Sequence, residues 1–269
     1  MTADPGADRA VTVAEAVGRA LAGLGADHVF GVVGSGNFLL TNAMIAGGAR
    51  YVAARHEGGA ATMADAYART SGRLGVLTVH QGCGLTNAMT GIAEAAKSRT
   101  PMLVLAAEAT TPRSNFYVDQ AALANSVGAV AERVSSASSA VDDVVRAVRR
   151  ATSERRTVVL NLPLDVQAQP AAPRPAEMPP AGGPPPPDPS AVSALASAVT
   201  RARRPVFIAG RGARHARAEL ERLAGRCGAL LATSAVANGL FTGNPWSLGI
   251  SGGFASPLAA ELIAEADLV

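Results

Sequence analysis

The stretch YVAARHEGGAATMADAYARTSGRLGVLTVHQGCGLTN (51–87) decides the fold. YVAA (51–54) and LGVLTV (74–79) are short, unbroken apolar runs, while GGAATMADAYART (58–70) between them carries small and polar residues at helical spacing. A strand that is apolar without alternation is covered on both faces, and strands separated by helices belong to a parallel sheet. The same alternation extends outward in both directions. Upstream, VAEAVGRALAG (13–23) reads as a helix behind a capping box from Thr12 and Glu15. HVFGVV (28–33) is a buried strand, GSGN (34–37) a glycine-rich turn, and FLLTNAMIAG (38–47) a short helix. Downstream, GCG is a tight turn, LTNAMTGIAEAAKS (85–98) a helix, and Pro101 opens the strand MLVLAA. AVAERV (129–134), AVDDVVRAVRRAT (140–152) and TVVLNL (157–162) predict strand, helix and strand. Residues 8–165 are therefore expected to form one doubly wound α/β domain with a parallel sheet.

The pattern then breaks. Eleven of the 17 prolines lie within residues 163–189, including the run Pro184–Pro187. Proline donates no ladder bond and favours extended backbone, so residues 166–188 read as an exposed, semi-rigid linker. A docking site for a partner that reads polyproline is the alternative. Asp188 as N-cap and Pro189 at the first helical position open a second α/β unit over 189–269. There the helix SAVSALASAVTRA precedes the strand PVFIAG, the helix HARAELERLAGRC and the strand ALLATS. The closing DLV reads as the first half of a buried strand, so this domain is expected to be partial and the chain a fragment of a longer protein.

Composition removes several function classes. The 269 residues are 48% hydrophobic and 17% charged, too apolar for a disordered chain. No 18-residue apolar run predicts a membrane span, and the polar N-terminus has no signal-peptide core, so a cytoplasmic protein is expected. The net charge is +3, carried by 23 arginines and a single lysine, Lys97. The arginines are scattered apart from Arg201, Arg203 and Arg204, whereas a nucleic-acid footprint needs one clustered basic face. Cys83 and Cys227 lie far apart with no metal-ligand spacing.

In open α/β sheets, ligands bind beyond the carboxyl ends of the strands. Three turns occupy that edge: GVVGSGN (31–37), ARHEGG (54–59) and VHQGCGLTN (79–87). None gives a complete G-x-G-x-x-G, and no P-loop motif is present. Glu57 stands out, because it follows a strand, opens a helix, and is followed by Gly58, Gly59, Ala60 and Ala61, small residues that leave room beside a carboxylate.

These blocks, with RHEGGAATMADAYAR (55–69) the most specific, resemble the N-terminal, pyrimidine-binding domain of thiamin-diphosphate enzymes of the acetolactate synthase-like group. The likeness runs from Val11 to Asp165, and the proline-rich linker and second unit resemble the start of that family's central domain. The resemblance implies that Glu57 hydrogen-bonds a ring nitrogen of the cofactor's aminopyrimidine and favours the tautomer that removes the thiazolium proton. It places Gly34, Gly82, Cys83 and Asn87 beside the cofactor, with Cys83 and Val33 each standing where the family has proline. It makes Gln120 an active-site glutamine, with Asp119 in place of the usual phenylalanine, and offers His80 for proton transfer. His56 is expected to orient the Glu57 turn.

The implied activity is a carboligase that decarboxylates a 2-oxo acid such as pyruvate and joins the hydroxyethyl unit to a second 2-oxo acid. A simple 2-oxo acid decarboxylase is the alternative, and a non-catalytic fragment the third reading. Mg²⁺ is expected on a diphosphate-binding domain that these residues do not contain. The resemblance also admits FAD on the central domain, and it implies a homodimer or homotetramer.

Overall fold

A computed structural model describes residues 11–172, 174–179 and 186–269. Residues 8–10 of the expected first domain and the prolines at 184 and 185 lie outside this description. The chain divides into two units, 1–182 and 183–269.

The first unit runs α1 (Val13–Gly23), β1 (His28–Gly31), α2 (Phe38–Ala46), β2 (Arg50–Ala53), α3 (Glu57–Ser71), β3 (Gly75–Val79), α4 (Cys83–Lys97) and β4 (Met102–Glu108). It continues with α5 (Gln120–Ser126), β5 (Val130–Arg133), α6 (Ala140–Ser153), β6 (Thr157–Pro163) and the single turn α7 (Leu164–Gln167). The six strands form one sheet in the order β2-β1-β3-β4-β6-β5, and every ladder is parallel. This is the doubly wound α/β domain that the unbroken apolar runs predict. Within a strand the side chains alternate between the two faces. Val76, Leu103, Leu105, Val158 and Leu160 accordingly pack with α1, α2 and α6 in one core. Leu77, Val79, Met102, Val104 and Val159 pack with α3, α4 and α5 in the other. Thr12 and Glu15 form the expected capping box at the start of α1.

The small residues of α3 serve this second core. Ala60, Ala61 and Ala64 are wholly buried, and a methyl group added at Gly91 of α4 would stand 2.5 Å from the Ala61 Cβ. They bring α3 onto α4 within one chain, so most of the helix's small face is already used inside the domain.

The proline-rich stretch differs from an exposed linker over its first part. Pro163 is the last, buried residue of β6. Val166 is 8% exposed, and Pro170 forms an antiparallel bridge to Thr12. The missing proline N–H costs nothing at that bridge, because the bonds fall on its neighbours: Val13 N–H donates to the Gln169 carbonyl, and Ala171 N–H to Val11. Ala171, Ala176 and Met178 pack against the first core. The apolar residues between the prolines thus return the chain to the first unit before it leaves for the second.

The second unit begins with α8 (Pro189–Arg201), where Asp188 accepts from Ser190 N–H and Pro189 stands in the first turn, as expected. β7 (Val206–Ala209), α9 (Arg217–Cys227), β8 (Leu230–Thr233), β9 (Ser247–Ile250) and α10 (Pro257–Ala264) follow. The strands form a parallel sheet in the order β7-β8-β9. Leu268 bridges Pro205 in parallel, so DLV does join the edge of this sheet. Val269 itself is 68% exposed.

Candidate active site

The sheet order places β1 between β2 and β3, so the chain reverses its direction of travel across the sheet at the β1–β3 pair. The turns that leave β1, β2 and β3 end at the first residues of α2, α3 and α4, along the carboxyl edge where such folds bind ligands.

Glu57 is the first residue of α3, and His56 is its N-cap: the imidazole Nδ1 accepts from Gly58 N–H at 3.0 Å. This fixes the entry of the helix and with it the Glu57 side chain. Asn87, one turn into α4, donates its Nδ2 to Glu57 Oε2 at 3.1 Å. The other oxygen, Oε1, faces Gly84, where an added Cβ would stand 3.6 Å from it. The tighter neighbour of that Cβ would be the His80 Cβ, at 3.1 Å.

His80 follows β3 and packs on Gly84 through that contact. Its Nδ1 accepts from Gly36 N–H at 3.3 Å, so the proton of the neutral ring resides on Nε2. Phe116 meets the ring edge-on at a centroid distance of 5.2 Å. Burial lowers the His80 pKa below its ordinary value, with the Glu57 charge opposing the shift. Gly34 is required here, since a Cβ would lie 2.7 Å from His80 Nδ1. The 34–37 turn is clamped by Asn37, a residue that sequence reading passed over. Asn37 is 2% exposed, its Oδ1 accepts from Gly34 N–H, and its Nδ2 donates to the Val32 carbonyl and to Thr78 Oγ1. An asparagine at the helix-cap position of a turn was the available signal.

The 82–84 turn holds the third group. Gly82 has φ 64° and ψ −104°, and an added Cβ would strike the Phe116 carbonyl at 2.4 Å. Gln120 does not reach into the open space. It is 1% exposed, its Oε1 accepts from Gly82 N–H at 3.2 Å, and its Nε2 donates to Asn161 Oδ1 at 2.8 Å. Cys83 opens α4 as an exposed free thiol. Asp119 caps α5, accepting from Ala122 N–H.

Two further groups escaped the sequence reading. Gln81 is 3% exposed and its Oε1 has no hydrogen-bond partner. That oxygen lies against Gly36 Cα, where a Cβ would overlap it. Glu108 ends β4 with Oε2 at 3.0 Å from Arg133 Nε. Burial raises its pKa, Arg133 opposes this, and Asp165 and Asp119 add to it.

Glu57, Asn87, Gly84, His80 and Gly34 are thus linked by direct contacts, with one Glu57 oxygen engaged by Asn87. Residues 11–134 match the thiamine pyrophosphate enzyme N-terminal TPP binding domain. Residues 192–269 match the central domain of the same enzymes. The chain belongs to the thiamine pyrophosphate enzyme family. Among curated proteins it is 36% identical over 275 residues to the probable 2-ketoarginine decarboxylase of Pseudomonas aeruginosa, covering 97% of this chain and 48% of that protein. It is 30% identical over 269 residues to the sulfoacetaldehyde acetyltransferase of Rhodobacter capsulatus, covering 96% of this chain and 45% of the relative. The acetolactate synthase large subunit of Buchnera aphidicola subsp. Schizaphis graminum is 42% identical over 96 residues, 35% of this chain and 17% of that protein. The chain therefore spans about half the length of the first two relatives.

Family membership implies thiamin diphosphate, and the residues fit its pyrimidine end. Asn87 occupies Glu57 Oε2 and leaves Oε1 as an acceptor suited to a ring nitrogen that carries a proton. Among the described residues there is no group of three or more His, Cys, Asp or Glu side chains placed to hold a metal ion. No helix among them is long and apolar enough to cross a membrane.

Proposed function

We propose that this chain supplies the pyrimidine-binding part of a thiamin-diphosphate enzyme that acts on a 2-oxo acid, beginning with decarboxylation. The observation that carries this reading is the Asn87–Glu57 pair, in which Asn87 engages Oε2 and Oε1 lies beside Gly84. Asn87 satisfies one carboxylate oxygen and fixes the plane of the group, so the other is aimed and ready to share a proton with a ring nitrogen. When bound, thiamin diphosphate supplies the reactive carbon and the electron sink; the protein supplies orientation and a proton path. His80, whose Nδ1 accepts from Gly36, presents Nε2–H as a donor. The diphosphate and Mg²⁺ are assigned, on this reading, to a domain outside these 269 residues, and the reading itself needs no FAD.

Two fates of the decarboxylated unit are proposed. Transfer to a second 2-oxo acid is supported by the acetolactate synthase-like motif blocks. Release as an aldehyde is supported by the likeness to a probable decarboxylase along nearly the whole chain and by Asp119 in the usual phenylalanine place. Incubating the complete enzyme with pyruvate alone, and then with a 2-oxo acid bearing a guanidinium tail, tests both. Acetolactate identifies transfer, and an aldehyde identifies release. No carbon dioxide from any 2-oxo acid, with thiamin diphosphate and Mg²⁺ present, overturns the proposal.

A further inference from the structure

Gly82 is the N-cap of α4, and its own N–H needs an acceptor. In a capping box that acceptor is a glutamate or glutamine side chain three residues into the helix. Here the third helical residue is Leu85, which has no acceptor, and Gly82 itself has no side chain to cap with. Gln120, 38 residues away, takes the bond instead. A free glutamine has several rotamers and a reversible amide, so its Oε1 faces Gly82 only while something holds its Nε2. Asn161 of β6 does that at 2.8 Å. Asn161 is itself 2% exposed and is tethered in turn, its Nδ2 donating to the Glu132 carbonyl of β5 at 3.1 Å. The Glu132 carboxylate is pinned to α6 by Arg146 and Arg150.

We propose that Asn161 is a positioning residue for the candidate site. Through Gln120 it sets the Gly82 turn, the turn sets the start of α4, and α4 presents Asn87 to Glu57. The chain of bonds runs β5 carbonyl, Asn161, Gln120, Gly82, with each amide oriented by the one before it. This assigns to Gln120 the work of a brace, since both ends of its amide are occupied inside the protein. The proposal rests on the reading of Asn87 and Glu57 as the working pair for its significance, but its test needs no cofactor and fails separately.

The test is amide hydrogen exchange by NMR on the isotopically labelled chain. Asn161→Leu removes the acceptor for Gln120; Asn161→Asp keeps it and loses only the donor to Glu132. Asn161→Leu is expected to speed exchange at Gly82 on the order of tenfold relative to the amides of β3 and β4, the weight of one such hydrogen bond. The Asn87 side-chain amide signals should shift with it. Asn161→Asp, which keeps an acceptor for Gln120 but breaks the tether to Glu132, should fall between wild type and Asn161→Leu. Where Asn161→Leu does not fold, Gln120→Met breaks the same link and carries the same expectation. Gly82 exchange and Asn87 signals unchanged in the broken-link variant, or exchange rising equally at every amide, would overturn the assignment.

Discussion

At the scale of single residues, the site depends on which polar atoms are already satisfied. Glu57 has one oxygen engaged by Asn87 and one open, whereas both ends of Gln120 are engaged. Sequence reading named Glu57 from its turn and Gln120 from the family resemblance, but no sequence pattern states where an amide's partners lie. Asn161 is the case in point: its partner Gln120 is 41 residues distant. His80 offers a direct check. Its ring accepts from Gly36 and is partly buried, which depresses its pKa. A base whose folded pKa lies below the unfolded value of about 6.5 is stabilising above that pH and loses its contribution as pH falls toward the folded value. An NMR titration of His80 should give a midpoint below about 6.5, with the 34–37 turn loosening as the ring charges. A midpoint above 7 would contradict the hydrogen bond described. Cys83 is an exposed thiol at the helix start, so Cys83→Ala should leave cofactor affinity within a few-fold. Complete loss of activity would show that the thiol takes part.

At the scale of elements, α3 and α4 are the parts most constrained by packing. Asp65 of α3 is 7% exposed and binds Arg69 through Nε at 2.9 Å and Thr100 Oγ1 at 2.7 Å. Asp65→Asn should therefore cost about 1.5–3 kcal/mol, the usual weight of charged hydrogen bonds. A denaturation midpoint near wild type would contradict that network. Gly82→Ala meets both the positive φ and the Phe116 carbonyl. It should destabilise by about 1–3 kcal/mol through backbone strain alone, read from the same measurement. The alternation of strands and helices was legible because buried parallel strands must be continuously apolar, and the structure reproduces each predicted element of the first unit. The proline-rich stretch was less so. Proline content suggested exposure, but Val166, Ala171 and Met178 bind the segment back to the core, and the ladder bonds simply step around Pro170.

At the scale of the whole molecule, the chain is two units of a family whose relatives are about twice as long. We propose that the complete enzyme is a dimer or tetramer, with the pyrimidine end of the cofactor held here and the diphosphate end on a domain of a neighbouring subunit. Phe38, Leu39, Phe116 and Tyr117, each 43–50% exposed, flank the turns of the site and give a partner subunit apolar surface to cover. Light scattering should find a dimer or tetramer, and a catalytically active monomer would contradict the proposal. The central claim is that the Glu57 carboxyl exchanges a proton with the cofactor ring. It is tested most directly by following C2 proton–deuterium exchange of thiamin diphosphate bound to the complete enzyme, wild type against Glu57→Gln. Glutamine keeps the shape and a hydrogen bond but cannot pass the proton. The account predicts retained cofactor binding with exchange slowed on the order of 10²–10⁴-fold, the usual size of a positioned proton transfer. Exchange at the wild-type rate in Glu57→Gln would contradict it.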